Sequence, residues 1–281
     1  MDKQWIIKAN GEKAPYDSRK ILQSLLKSGA TPEQAMKIAQ HIDASVEDGM
    51  STQEIDEMAF SLLKTEASST AARYKLKKAI MELGETGYPF ESFISSILEK
   101  EGFATQTGRI VNGKCVTHEI DVIAQDEHHH YMCECKFHNQ QGRYCSIKIP
   151  LYIQSRFKDV EQVWQKQEGH AFKIHQGWIF TNTRFSLDAM TYGKCVGLQL
   201  ISWDYPTGGS LKDRIDRTGI YPITSLTLLT KQEKTELIQK NIVTCVDLCA
   251  SPALLQNIGI GKPRAQKIQE EANVLCNPQS S

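Results

Sequence analysis

Tyr131-Met132-Cys133-Glu134-Cys135-Lys136-Phe137 decides how the middle of this chain is read. Side chains alternate across a strand, so Met132, Glu134 and Lys136 share one face, and Tyr131, Cys133, Cys135 and Phe137 share the other. The second set is apolar and predicts a buried wall. An acid and a lysine are left side by side on the opposite face. Upstream, Asp121 opens the apolar run Val122-Ile123-Ala124, and the polar stretch Gln125-Asp126-Glu127-His128-His129-His130 separates the two runs. That pattern predicts a hairpin, with the three histidines in its loop and Asp121 brought towards Glu134. Further upstream, Phe90, Phe93, Ile94, Ile97 and Leu98 repeat with helical spacing, which puts Glu91 at the N-terminal end of a helix.

Two acids and a lysine gathered in this way suit phosphodiester hydrolysis. Carboxylates recruit Mg²⁺, a hard cation that takes one or two protein carboxylates plus water and phosphate oxygens. A lysine beside them positions the attacking water or stabilises developing charge. Helix acid, hairpin aspartate and acid-x-Lys strand, in that order over residues 86 to 205, resemble the Mrr-like branch of the PD-(D/E)xK nuclease superfamily. The resemblance implies a restriction-endonuclease-like α/β/α core with a mixed sheet. It also implies Asp121, Glu134 and Lys136 as catalytic core, Glu91 as an auxiliary acid and Gln154 as a helix residue facing the site. Asp121 and Glu134 would hold Mg²⁺ or Mn²⁺, and DNA would be the substrate. His118-Glu119 stand where that branch commonly carries glycines before the aspartate. His118 and His138 are expected as packing or surface histidines, and Cys133 and Cys135 as buried thiols, since their spacing is not that of a zinc finger.

Residues 1–86 form a separate unit. Asn10-Gly11 is a tight-turn pair between Trp5-Ile6-Ile7-Lys8 and Lys13-Ala14-Pro15-Tyr16. Asp17 or Ser18 caps a helix carrying Ile21, Leu22, Leu25 and Leu26. Thr31-Pro32 starts a second helix, Ser51-x-x-Glu54 is a capping box opening a third, and a fourth is predicted over about 70–83. A hairpin followed by four helices, with Ile7-Lys8-Ala9-Asn10-Gly11 and Tyr16-Asp17-Ser18-Arg19-Lys20-Ile21, resembles the ATP-cone domain, a regulatory module that binds ATP or dATP. The resemblance implies Lys8 and Lys20 at the phosphates, Ile6 near the base and Thr52 near the nucleotide. Ala9 stands where that family has a further basic residue. No phosphate-cradling glycine-rich loop is present, so binding without hydrolysis is expected.

Residues 87–210 are expected as the nuclease unit, ending near Thr207-Gly208-Gly209-Ser210, and residues 211–281 as an all-α segment. Within the latter, Leu254 to Ile268 resembles a helix-hairpin-helix motif, with Leu237 to Leu248 as the preceding helical half. Gly259 and Gly261 would form its turn, and Lys262, Arg264 and Lys267 would meet the DNA backbone. The chain reads overall as multidomain α/β. Its 281 residues carry 33 basic and 33 acidic side chains, so no global charge points to nucleic acid. Basic residues do outnumber acids between Lys136 and Arg184. Eight cysteines without a secreted framework, and no leader or membrane-length apolar run, predict a cytoplasmic chain without a membrane partner. The sequence leaves open a homo-oligomer, an RNA or branched-DNA substrate, and an inactive nucleotide-responsive DNA-binding regulator.

Overall fold

The computed structural model describes residues 4–276 apart from Ala9, Ala67, Glu85, Gln141, Ala171 and Pro252. Strands β1 (Trp5–Ile7) and β2 (Lys13–Pro15) pair antiparallel around Gly11, whose φ of 84° suits the turn. Helices α1 (Ser18–Lys27), α2 (Pro32–Ser45) and α3 (Thr52–Glu66) follow. Asp17 caps α1, and Thr31 with Gln34 closes a capping box on α2. Glu54 reaches back to the Ser51 amide at 2.7 Å, so the third predicted box is also formed. The predicted fourth helix is two: α4 (Ser68–Tyr74) and α5 (Leu76–Met81), broken at Lys75. There the ammonium lies 3.9 Å from the centre of the Phe60 ring. Leu25, Ile38, Ile42, Ile55 and Leu63 fill the core of this bundle.

The central region runs α6 (Tyr88–Lys100), β3 (Ala104–Asn112), β4 (Thr117–Gln125), β5 (His129–Lys136), β6 (Tyr144–Cys145), α7 (Lys148–Trp164), β7 (Ile174–Thr181), β8 (Arg184–Phe185), α8 (Leu187–Val196) and β9 (Gln199–Ile201). Five strands form a mixed sheet in the order β3-β4-β5-β7-β9. The first three pair antiparallel, and β5, β7 and β9 run parallel, with α7 as the crossover from β5 to β7. The alternation read from the sequence holds in β5: Tyr131, Cys133 and Cys135 pack with Phe90, Phe93 and Ile94 of α6. Met132 lies on the opposite face among Ile153, Phe157 and Trp164 of α7. Both faces are therefore covered, and Glu134 is 5% exposed rather than solvated. The hairpin departs from expectation in its loop. His129 and His130 belong to β5, because the Asp126 carboxylate accepts the His128 and His129 amides at 2.7 Å and closes the turn early.

Helices α9 (Leu211–Thr218), α10 (Lys231–Gln239), α11 (Cys245–Ala250), α12 (Ala253–Asn257) and α13 (Lys262–Cys276) complete the chain. Their core is continuous with that of α6 and the sheet, and it also takes in Leu76, Ile80 and Leu83 of the N-terminal unit. Thr224 hydroxyl donates to the Ala79 carbonyl at 2.6 Å across that junction. Buried Glu271 on α13 accepts the amides of Thr227 and Leu228 at 2.9 and 3.2 Å. The boundaries expected near 86 and 210 thus cross one shared apolar interior, where burying each large side chain contributes about 1.5–3 kcal/mol. Among the described residues, no helix is long and apolar enough to cross a membrane.

Candidate active site

The β4–β5 ladder ends at the Val122–Cys133 pair. Beyond it the Asp121 side chain takes over: its Oδ2 accepts the Cys135 amide at 2.7 Å. Across β3, Gly108 lies between the pairs Thr107–Val122 and Arg109–Ile120, opposite Asp121, with φ of 57°. Glu134 Oε1 sits 2.9 Å from Lys136 Nζ, and its Oε2 sits 2.8 Å from Arg156 Nη1 of α7. Arg156 also donates to the Glu119 carbonyl. Glu91, in the first turn of α6, completes the group.

The closeness of these side chains shifts their pKa values. Burial raises Asp121 to about 6, Glu134 adds repulsion, and the Cys135 amide, Lys136 and Arg156 pull the other way. Burial, followed by Asp121, Glu119 and Glu134, raises Glu91 to about 7. Burial is the largest single influence on Lys136 and works against its charge, but the hydrogen bond to Glu134 and the charges of Glu134 and Asp121 together raise its pKa. Three carboxylates, those of Glu91, Asp121 and Glu134, therefore lie close to Lys136 and Arg156 in one partly covered place. Mutual repulsion of this kind is relieved by a divalent cation, and the donor set is hard oxygen. Hard-oxygen donors are the kind that Mg²⁺ and Mn²⁺ take.

Asp121, Glu134, Lys136 and Glu91 are brought together. Gln154 is not joined to them by any hydrogen bond among the described residues, and its Oε1 is buried without a partner. Arg156, two positions along the same helix, reaches the acids instead. Sequence reading missed Arg156 and Glu119; the apolar stripe Ile153-Phe157-Val160 that orients α7 was the available signal. His118 is structural, as expected. Its Nε2 lies 2.8 Å from Asp159 Oδ2, and Asp159 also accepts the Cys115 and Val116 amides, tying the β3–β4 turn to α7. That hydrogen bond to His118 holds Asp159 well below the usual carboxylate range. A Cβ at Gly113 would collide with the Asp159 carboxylate and the Val116 backbone carbonyl, so glycine is required there. The His138 amide donates to Asn182 Oδ1 at 2.9 Å, and Cys133 and Cys135 are buried free thiols.

Comparison with known proteins adds the two ends of the chain. Residues 5–83 match the ATP cone domain, and residues 221–276 match the family model described as AF1548-like, C-terminal. A protein of Archaeoglobus fulgidus described as uncharacterized is 39% identical over 180 residues, covering 64% of this chain and 97% of that protein. A solved structure titled as protein of unknown function AF1548 superposes with a TM-score of 0.55 at 36% identity, covering 69% of this chain and all of that one. The chain belongs to the AF1548-like family. The acid cluster lies between the two matched ends of this AF1548-like chain.

The N-terminal unit is an ATP-cone domain. A cleft of about 720 Å³ lies between it and the central region, lined by Lys8, Thr52, Lys75, Lys77 and Lys78 on one side and Arg143 and Arg184 on the other. The structure brings Lys8 and Thr52 together here. Ile6 does not line the cleft: neighbouring strand residues point to opposite faces, so Ile7 lines it and Ile6 packs on the cone core. Lys20 is exposed on α1, outside the lining. Ala9 lies outside the described residues.

In the C-terminal part of this AF1548-like chain, α12 and α13 are joined by a turn at Gly259, φ 82°, and Gly261 accepts the Ala265 amide at 3.0 Å to start α13. Lys262 and Lys267 are exposed. Arg264 is not available to DNA as expected. Its guanidinium donates to Glu233 Oε2 and to the Leu228 carbonyl, both at 2.7 Å. Arg264, then the Thr230 amide and hydroxyl, lower Glu233 from 4.5 to about 2. A depressed carboxyl contributes stability above its unfolded pKa and loses it as pH falls through its folded one. Arg264→Ala should therefore destabilise most at neutral pH. Urea midpoints of variant and wild type should converge as pH falls from 4.5 towards 2.

Proposed function

We propose that the chain is a metal-dependent deoxyribonuclease whose cleavage is regulated by ATP or dATP at the cone. The convergence of Glu91, Asp121 and Glu134 with Lys136 and Arg156 carries this reading. Asp121, through the oxygen not engaged by Cys135, and Glu134 would hold Mg²⁺. The bound ion would supply charge neutralisation at the phosphate and a more acidic water. Lys136 is placed to donate a hydrogen bond to the attacking water or to a phosphate oxygen. Arg156 holds Glu134 in orientation, and Glu91 adds a further oxygen donor. Removing water from this half-buried place strengthens each of these interactions.

Supercoiled plasmid incubated with the protein and Mg²⁺ should be nicked, and a chelator should stop the reaction. Absence of cut DNA, RNA and branched substrate under Mg²⁺ and Mn²⁺ would overturn the enzymatic reading in favour of a DNA-binding regulator.

The cone's cleft supports the regulatory part. Its wall includes Thr183, whose hydroxyl lies 3.1 Å from that of Thr181, and Thr181 donates to the Lys136 carbonyl at 2.7 Å. A nucleotide held at that wall therefore bears on the strand end that presents Lys136. A charge-assisted hydrogen bond is worth about 1.5–3 kcal/mol. Lys8→Ala and Lys78→Ala should each weaken ATP or dATP binding by about tenfold or more in calorimetric titration. Unchanged affinity in both would remove the cleft as the nucleotide site.

A further inference from the structure

At the other end of β5, three histidines meet. His130 and His175 are partners in the parallel β5–β7 ladder, so both side chains leave the sheet on the same side at neighbouring-strand spacing, about 4.8 Å. His170 joins them from the loop before β7. That loop is pinned by the Lys173 amide on the His170 carbonyl, 3.1 Å, and by Lys173 Nζ on the Asp126 carbonyl, 2.8 Å. One ring nitrogen from each histidine lies within 4.8 Å of the other two. His130 is 6% exposed, and the Trp164 ring covers it at 3.9 Å between centroids.

Nδ1 of His130, Nδ1 of His170 and both ring nitrogens of His175 are buried without a hydrogen-bond partner. An orphaned buried polar atom costs about 1–3 kcal/mol, so four at one point need an explanation. Neutral imidazole is the form that binds metal. Glu161 lies close enough to act on His175 and partly offsets the charge of Lys173.

We propose that His130, His170 and His175 form a zinc site, distinct from the carboxylate cluster. Three imidazoles are a common zinc set, with water completing the tetrahedron. Zinc–nitrogen distances of about 2.0–2.1 Å require the donor atoms to close to roughly 3.3 Å, which side-chain rotation and the His170 loop can provide. Along β5 the site stands four residues from Glu134, about 13 Å. It clips the loop over 165–173 onto the two central strands.

The test uses full-length protein carrying Asp121→Asn and Glu134→Gln, so that the acid cluster does not compete. Chelator-stripped protein is titrated with ZnCl₂ against a chromophoric chelator, and with CoCl₂ by visible absorption. One equivalent of zinc, a d–d band of a four-coordinate nitrogen site and a rise in melting temperature are expected. His170→Ala, on the partly exposed loop, should weaken zinc binding by about 100-fold or more. His175→Gln should do the same, with circular dichroism unchanged in at least one of the two. No retained zinc in the parent, or affinity unaltered in both folded variants, overturns the proposal.

Discussion

Glu134→Gln should reduce Mg²⁺-dependent plasmid nicking by about 10³-fold while the protein stays folded. The glutamine keeps the shape of the side chain but has one acceptor oxygen, so it can accept from only one of Arg156 and Lys136, which approach the two carboxylate oxygens of Glu134 at 2.8 and 2.9 Å. What disappears is the negative charge that the proposed Mg²⁺ would need. Asp121→Asn should match the loss, because Asp121 and Glu134 repel each other across one small space. Glu119→Gln should cost far less, since Glu119 meets Arg156 through its backbone carbonyl. Rates are read from supercoiled-to-open-circle conversion, and thermal melting checks the fold. Cleavage that survives both substitutions would place the chemistry elsewhere.

Arg214→Ala should be the most destabilising single change outside the acid cluster, costing about 3–5 kcal/mol in urea denaturation. Arg214 on α9 pairs with Glu101 just beyond α6, both side chains only 11% exposed. It also donates to the Gly209 carbonyl at 3.2 Å and lies 5.2 Å from the centre of the Trp178 ring. Burial lowers its pKa, and Glu101 works against that loss. Truncation would leave Glu101 to Arg217 alone, 2.6 Å away, at the exposed edge. Glu101→Ala combined with Arg214→Ala should cost less than the two single losses added, as expected for contacting partners. Trp178, under the guanidinium, provides a fluorescence reading of the same event.

Much of the local structure was legible because it depends on near neighbours in the chain. Asp17, Thr31 and Ser51 mark helix starts through bonds spanning two or three residues. Alternation along Tyr131 to Cys135 sorted the two faces of β5, since a strand's period of two leaves no choice once one face is apolar. The order of acids and lysine was equally plain, and the hairpin register then drew Asp121 to the Cys135 amide. The helix predicted over 70–83 is two helices that part at Lys75, beyond which Leu76 and Ile80 join the core shared with the C-terminal helices.

Arg156, Arg264 and the histidine trio show where reading along the chain stops. Arg156 meets Glu134 across 22 positions, and Arg264 meets Glu233 across 31. A lone arginine on a helix looks alike whether it serves DNA, an acid or solvent. His130, His170 and His175 meet only because β5 and β7 pair in a particular register and the intervening loop folds over them. Short-range patterns thus specified the helices, the strands and the kinds of residue available for chemistry. Which charges neutralise one another, and which imidazoles share a cavity, depended on the assembled sheet, because electrostatic and metal-binding interactions act through space over a few ångströms regardless of separation along the backbone.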